Sequence, residues 1–111
     1  MDTIAFEQFA EAEIRVGKIQ RVEDFPKARQ PTYKLWIDFG EFGVKKSGAK
    51  LTRLYRKEEL VGKTIMAVVN FPPRQIADFM SEVLVLGVMI DDEEVVLVHP
   101  DREVPLGKRI L

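Results

Sequence analysis

The sequence predicts an all-β fold, a small barrel, on three observations. Apolar residues come in short β-branched runs bounded by Gly, Pro and Asp, as in Glu82–Ile90. The stretch Tyr33–Phe39 alternates, with Tyr33, Leu35, Ile37 and Phe39 on one face and Lys34, Trp36 and Asp38 on the other. Only one stretch between the strands, starting near Thr52, has helical spacing. At 111 residues, with 46% hydrophobic and 32% charged residues, the chain suits one core, so a single domain over residues 1–111 is expected.

The elements follow in order. Asp2 or Thr3 can cap one or two helical turns carrying Ile4, Phe6 and Phe9. Glu13–Phe25 reads as a long first strand, with Ile14, Val16, Ile19 and Val22 inside and a change of phase near Gly17, where a bulge or bend would curl a barrel. Phe25-Pro26 ends it, and Tyr33–Phe39 is the second strand. Phe42–Leu51 is a third, weakened by Gly43 and Gly48. Thr52 then caps a short helix with Leu54, Tyr55 and Leu60 inward, closed by Gly62. Thr64–Phe71 is a fourth strand, stopped by Pro72-Pro73. Glu82–Ile90 and Val95–His99 form a hairpin across the acidic turn Asp91–Glu94. Three strands, a helix and then strands again follow the element order of the OB-fold, a five-stranded, partly open Greek-key barrel.

Charge is unevenly placed. The net charge is −1, yet Lys45, Lys46, Lys50, Arg53, Arg56, Lys57, Lys63 and Arg74 crowd one segment. Asp78, Glu82, Asp91, Asp92, Glu93, Glu94, Asp101 and Glu103 crowd the next. If the two segments fold to different faces the surface is dipolar, and a polyanion meets the basic face. With no cysteine there is no disulfide and no thiolate metal site. The N-terminus lacks a basic stretch followed by an apolar one, and no apolar run reaches the ~18 residues that span a bilayer. A cytoplasmic protein with no membrane partner is expected.

Catalysis lacks parts. His99, the only histidine, ends an apolar strand before Pro100, and Ser47 and Ser81 lie in no nucleophile motif. Asp91–Glu94 lacks the alternating ligands and central glycine of a calcium loop. Gly43–Lys50 nearly spells a phosphate-binding loop, but Ala49, not Lys, follows the second glycine. Neither an enzyme nor a cofactor or metal is expected.

The most informative segment is Asn70–Glu82. Its two prolines hold the backbone extended and present Arg74 and Gln75, while Phe71, Ile76 and Phe79 anchor the loop beneath. Together with Ala12–Ile19 (AEIRVGKI), Phe25–Gly40 (FPKARQPTYKLWIDFG) and Val44–Tyr55 (VKKSGAKLTRLY), the stretch Asn70–Gly87 (NFPPRQIADFMSEVLVLG) resembles the CsaA family. The Ile-Arg-Val-Gly first strand and the Asn-x-x-x-Arg loop leading to Ser-Glu are similar to the wider class of tRNA-binding domains.

The resemblance implies an OB-fold homodimer that grips tRNA by shape, through Lys45, Lys46, Ser47, Lys50, Arg53, Asn70, Arg74, Gln75, Ser81 and Glu82. Gln75 and Asp78 leave the loop less positive than the family pattern, and Gly48 is a milder departure. The family also implies an alternative, an ATP-independent chaperone for unfolded or secretory polypeptides in protein export. Its contacts would be Phe25, Pro26, Pro31, Pro72, Phe79 and Met80, adaptable apolar residues at strand ends. Of the aromatics near the lysines, Tyr55 and Trp36, Trp36 is expected under the helix or at a dimer seam rather than as a base-stacking platform. An apolar N-terminal segment (Ile4, Phe6, Phe9) and C-terminal end (Leu106, Ile110, Leu111) exceed what a closed barrel must cover, and predict extensions at a homodimer interface.

Overall fold

The computed structural model describes residues 1–111. A short helix α1 (Phe6–Ala10) precedes the strands β1 (Ile14–Asp24), β2 (Tyr33–Asp38) and β3 (Val44–Ala49). Helix α2 (Lys57–Leu60) leads to β4 (Thr64–Val68), the hairpin β5 (Arg74–Ile76) and β6 (Phe79–Ser81), and β7 (Leu84–Val85). A second hairpin, β8 (Gly87–Met89) and β9 (Val95–Leu97), precedes the terminal β10 (Arg109–Ile110). No helix is long and apolar enough to cross a membrane.

The main sheet runs β3-β2-β1-β4-β7, every pair antiparallel, with β10 on β1. Strand β1 makes it a barrel because its two halves serve different neighbours. Ile14–Lys18 pairs with β4, and Lys18–Asp24 pairs with β2. Between them the β1–β2 register slips at Ile19–Arg21, a bulge that bends the strand. The expected irregularity therefore lies just after Gly17. Gly17 answers a separate demand: a Cβ there would sit 2.7 Å from Ile37 Cγ2 and from the Phe39 ring. Inside lie Ile19, Leu35, Ile37, Phe39, Leu60 and Ile65, all essentially fully buried. The all-β OB-type barrel is thus observed.

Several boundaries differ from expectation, for local reasons. Helix α1 starts after Ala5, whose N–H donates to Gln8 Oε1, so neither Asp2 nor Thr3 caps it. Helix α2 likewise begins at Lys57, with Glu59 Oε1 accepting from the Arg56 N–H. Thr52 sits in a turn, and Leu54 is exposed. The fourth strand ends at Val68, because Val69 N–H already bonds Glu13 O and Asn70 turns its side chain onto the α1–β1 junction. Glu82–Ile90 is broken into two short strands around Leu86. The proline loop itself forms the hairpin β5–β6, which folds over the outer face of β2 and β3.

Candidate nucleic-acid interface

Alternation in β2 sends Leu35 and Ile37 into the core and turns Lys34 and Trp36 outward. Register places Lys46 of β3 directly beside Trp36, on the same outer face. Hairpin β5–β6 presses Phe79, 6% exposed, into this face. Its ring meets Trp36 edge-on at 5.8 Å and Phe25 at 5.5 Å between centroids. Lys34 Nζ lies 5.3 Å and Lys46 Nζ 5.2 Å from the Phe79 centroid, and Arg21 stacks 4.5 Å over Trp36. The result is an aromatic layer capped by cations, outside the barrel core.

Polar residues rivet the hairpin down. Lys46 N–H donates to Glu82 Oε1 at 2.9 Å, and Gly48 N–H donates to Ser81 Oγ at 3.0 Å. Ser47, 1% exposed, donates its hydroxyl to Val83 O at 2.9 Å. Glu82 N–H and Val83 N–H both donate to Lys46 O. These bonds close the barrel along the free edge of β3, where no regular strand pairs. At the other end of the loop, Asn70 accepts from Glu13 N–H through Oδ1 and donates to Glu11 O through Nδ2. The polar atoms of Ser47, Asn70, Ser81 and Glu82 are thus engaged within the chain. These residues position the loop; Ser47 is buried, Ser81 and Glu82 are half-buried, and Asn70 is exposed at the loop's other end.

Beyond Gly48 the edge of β3 and the β7–β8 segment part, opening a groove of about 850 Å³. One wall is the β1–β2 loop with Lys27, Arg29 and Gln30; another is β5 with Arg74, Gln75 and Ile76; Lys50 and Leu51 close the end of β3. Leu84, Met89 and Val95 add an aliphatic floor, and Asp92 is the one acid lining it. The structure therefore brings together Lys50, Arg74 and Gln75 of the expected contacts. Lys45 and Lys46 stand half-buried further back along β3. Lys27 and Arg29 were missed, although Phe25–Pro31 shows the signal, basic residues between two prolines in an inter-strand loop.

Ion pairs cut into the expected dipole, one of them joining the basic and acidic segments and two reaching to the end of β1 and the loop after it. Arg53 is ion-paired with Glu93, Lys27 with Asp78 at 2.8 Å, and Lys57 with Asp24 at 2.7 Å. The hydrogen bond from Lys27 holds the Asp78 carboxyl below the usual carboxylate range, and Asp78 in turn raises Lys27. In the acidic turn, Asp91 accepts from the N–H groups of Glu93 and Glu94, which lowers it. A side-chain hydrogen bond to Asp91 raises Glu94. These carboxylates organise a turn, and no group of three His, Cys, Asp or Glu side chains could hold a metal ion.

The groove suits a backbone polyanion better than stacked bases. Trp36 is covered by Phe79 and Arg21, which places it under the hairpin rather than under α2. Tyr55 accepts a hydrogen bond from Leu97 N–H, and its carbonyl accepts one from the Tyr33 hydroxyl. Neither aromatic has an open face in the groove. Of the apolar residues expected to bind polypeptide, Phe25 and Phe79 are buried together while Pro26, Pro31, Pro72 and Met80 are exposed, and none lines the groove. Buried Phe25 and Phe79 hold the hairpin and are not available to a peptide.

Comparison with known proteins fits this geometry. A family model described as "Putative tRNA binding domain" matches residues 14–109. Among solved structures, the chaperone CsaA from Bacillus anthracis superposes with a TM-score of 0.95 at 45% identity, covering 99% of this chain and 100% of that one. The CsaA chaperone protein from Picrophilus torridus gives 0.90 at 50% identity, covering 98% and 100%. The methionine–tRNA ligase of Thermococcus kodakarensis is 36% identical over 110 residues, 99% of this chain but 14% of the ligase. The chain thus spans about a seventh of the curated relatives it matches. Match and superposition extend over almost the whole chain, and the chain belongs to the tRNA-binding domain family, in its CsaA-like branch.

Proposed function

We propose that the chain binds folded tRNA by shape and charge, without catalysis, along the groove. The carrying observation is the convergence of Lys50, Arg74 and Arg29, from three separate elements, on a cleft with no open aromatic face. Cations on a rigid scaffold suit phosphate and 2′-hydroxyl contacts to folded RNA, whereas base readout calls for stacking. Gln75 lines the same groove, and Lys46 extends the surface on the outer face of β3, while Lys45 shares the face of Ser47 and Ile37. Arg53 joins it once released from Glu93.

The test is titration of mixed tRNA against wild type and a variant with Lys45, Lys46, Lys50 and Arg74 all changed to Ala. Affinity should fall for all tRNAs about equally, with the salt slope shallower by roughly one unit or less per cation removed. Unchanged affinity in a folded variant would reject the proposal. A second reading, passive holding of unfolded polypeptides, is favoured by the aliphatic floor of Leu84, Met89 and Val95. It requires tight binding to an unfolded polypeptide that salt does not weaken.

The same reading has the chain act as a single domain, in the cytoplasm, as a homodimer. Helix α1 buries none of its residues, and Ile4 and Phe6 at the N-terminal end and Leu111 at the C-terminal end are exposed. Ile110 pairs with Ile14 across β10 and β1, so the C-terminal end supports this apolar face from within the sheet. An isologous contact there would place two grooves on one assembly. Light scattering should give twice the 12.7 kDa chain mass, and a monomer would exclude the arrangement.

A further inference from the structure

The geometry points to Asp78 as a built-in competitor for the groove: in the free protein its carboxylate holds Lys27 across the mouth, and a polyanion enters by displacing it. The inference rests on the tRNA-binding reading and adds the device that sets which anions are admitted.

Lys27 lines one wall, from the β1–β2 loop. Asp78, not itself a lining residue, follows Gln75, Ile76 and Ala77 of another wall, at the turn between β5 and β6. Lys27 Nζ and Asp78 Oδ2 are 2.8 Å apart, so the pair reaches from wall to wall. Both side chains remain open to solvent, 70% and 55% exposed. Such a pair is weak and screened by salt, as a displaceable clasp must be.

A second observation concerns the turn. Ala77 has φ +52°, the only non-glycine residue in the left-handed region. Ile76 pairs with Phe79, so Ala77 and Asp78 form a two-residue hairpin turn in which a positive φ at the first position normally calls for glycine. Neighbours hold the turn in place: Gln75 Nε2 donates to Ala77 O at 2.9 Å, and Phe79 is buried against Phe25 and Trp36. The backbone therefore holds Asp78 at the mouth whether or not Lys27 is bound. Rotation of the carboxylate alone releases the lysine.

The charges around the pair define the selectivity. Arg29, Lys50 and Arg74 face the groove, Lys34 lies near Asp78, and Asp92 is the other acid. A single phosphate meets the carboxylate on equal terms. A phosphodiester chain already held by Lys50 and Arg74 presents further phosphates to Lys27 at high effective concentration, and displaces Asp78. The clasp thus favours long polyanions over mononucleotides.

A double-mutant cycle on the full chain tests this. Wild type, Asp78→Asn, Lys27→Ala and the double variant are titrated with mixed tRNA and, separately, with inorganic polyphosphate, at two salt concentrations. Asp78→Asn should tighten binding roughly two- to five-fold, the range an exposed ion pair commands. Lys27→Ala should cost less than about two-fold in wild type and several-fold more in the Asp78→Asn background, where the lysine is free. Equal costs in both backgrounds would overturn the inference, because Asp78 would then act only through its long-range field. Asp92→Asn is the control for that field, and its effect should add to that of Lys27→Ala. Exchange of the charges, Lys27→Glu with Asp78→Lys, should return near wild-type affinity, and failure to exceed Lys27→Glu alone would count against the clasp. Binding of polyphosphate but not tRNA would reject the tRNA reading and leave the cycle to judge the clasp; binding of neither by any variant would reject both.

Discussion

The two faces of β2 divide the molecule's work. Inward, Leu35 and Ile37 are 0% exposed in an aliphatic core that neighbouring strands close around. Outward, Lys34 and Trp36 are half-buried under a hairpin contributed by a distant loop, held by ring edges, cations and a few side-chain bonds to backbone. The inner face depends on volume and exclusion of water. The outer face depends on particular atoms meeting, and it holds the hairpin that carries Arg74 and Gln75 against the barrel. Stability and site presentation are therefore separable along one strand of alternating residues.

That separation can be broken from either side. The largest effect is expected for Leu35→Ala, about 2 to 5 kcal/mol of lost stability in denaturant melts, because the cavity opens in a closed core. Phe79→Ala removes the buried ring of the outer layer and should cost about 3 kcal/mol. It should also expose Trp36, the only tryptophan, and red-shift its fluorescence, and it should weaken tRNA binding by loosening the hairpin. Leu35→Ala should leave the affinity of the folded fraction unchanged; if it lowers affinity as much as Phe79→Ala does, the two faces are not separable.

Smaller changes sharpen the comparison. Glu82→Ala leaves Lys46 N–H without its acceptor and should cost about 1 to 3 kcal/mol, whereas Glu82→Gln, which keeps an acceptor oxygen, should restore most of it. Ala77→Gly relieves the left-handed backbone at the hairpin tip and should stabilise by up to about 1 kcal/mol, after the entropy glycine loses on folding. The least effect is that of pH. Asp78 is depressed by Lys27, so the stability it contributes is present above the ordinary Asp value of about 3.9 and is lost only as pH falls through its lower folded value. A carboxyl NMR titration should show this depression, and Lys27→Ala, which removes its largest cause, should reduce it.

Legibility followed the range of the interactions. Alternation in Tyr33–Phe39, the prolines after Phe71 and the clustering of Lys45, Lys46 and Lys50 are local patterns, and each falls near where it was expected. Helix α2 was misplaced because the Glu59 side chain, not Thr52, satisfies a free N–H at its start. The hairpin β5–β6 was unreadable because its turn uses an alanine where the backbone favours glycine.

The residues alone determined the barrel, the order of its first three strands, helix and fourth strand, and the clustering of basic residues, since strand periodicity and turn chemistry act over a few positions. Only the tertiary structure decided that Ser47, Ser81 and Glu82 seam the barrel, that Lys27 and Arg29 face Lys50 and Arg74, and that Asp78 and Glu93 return to neutralise Lys27 and Arg53. Those meetings join residues tens of positions apart. They depend on how the β1 bulge bends the sheet and how Phe79 seats the hairpin, which no local pattern encodes.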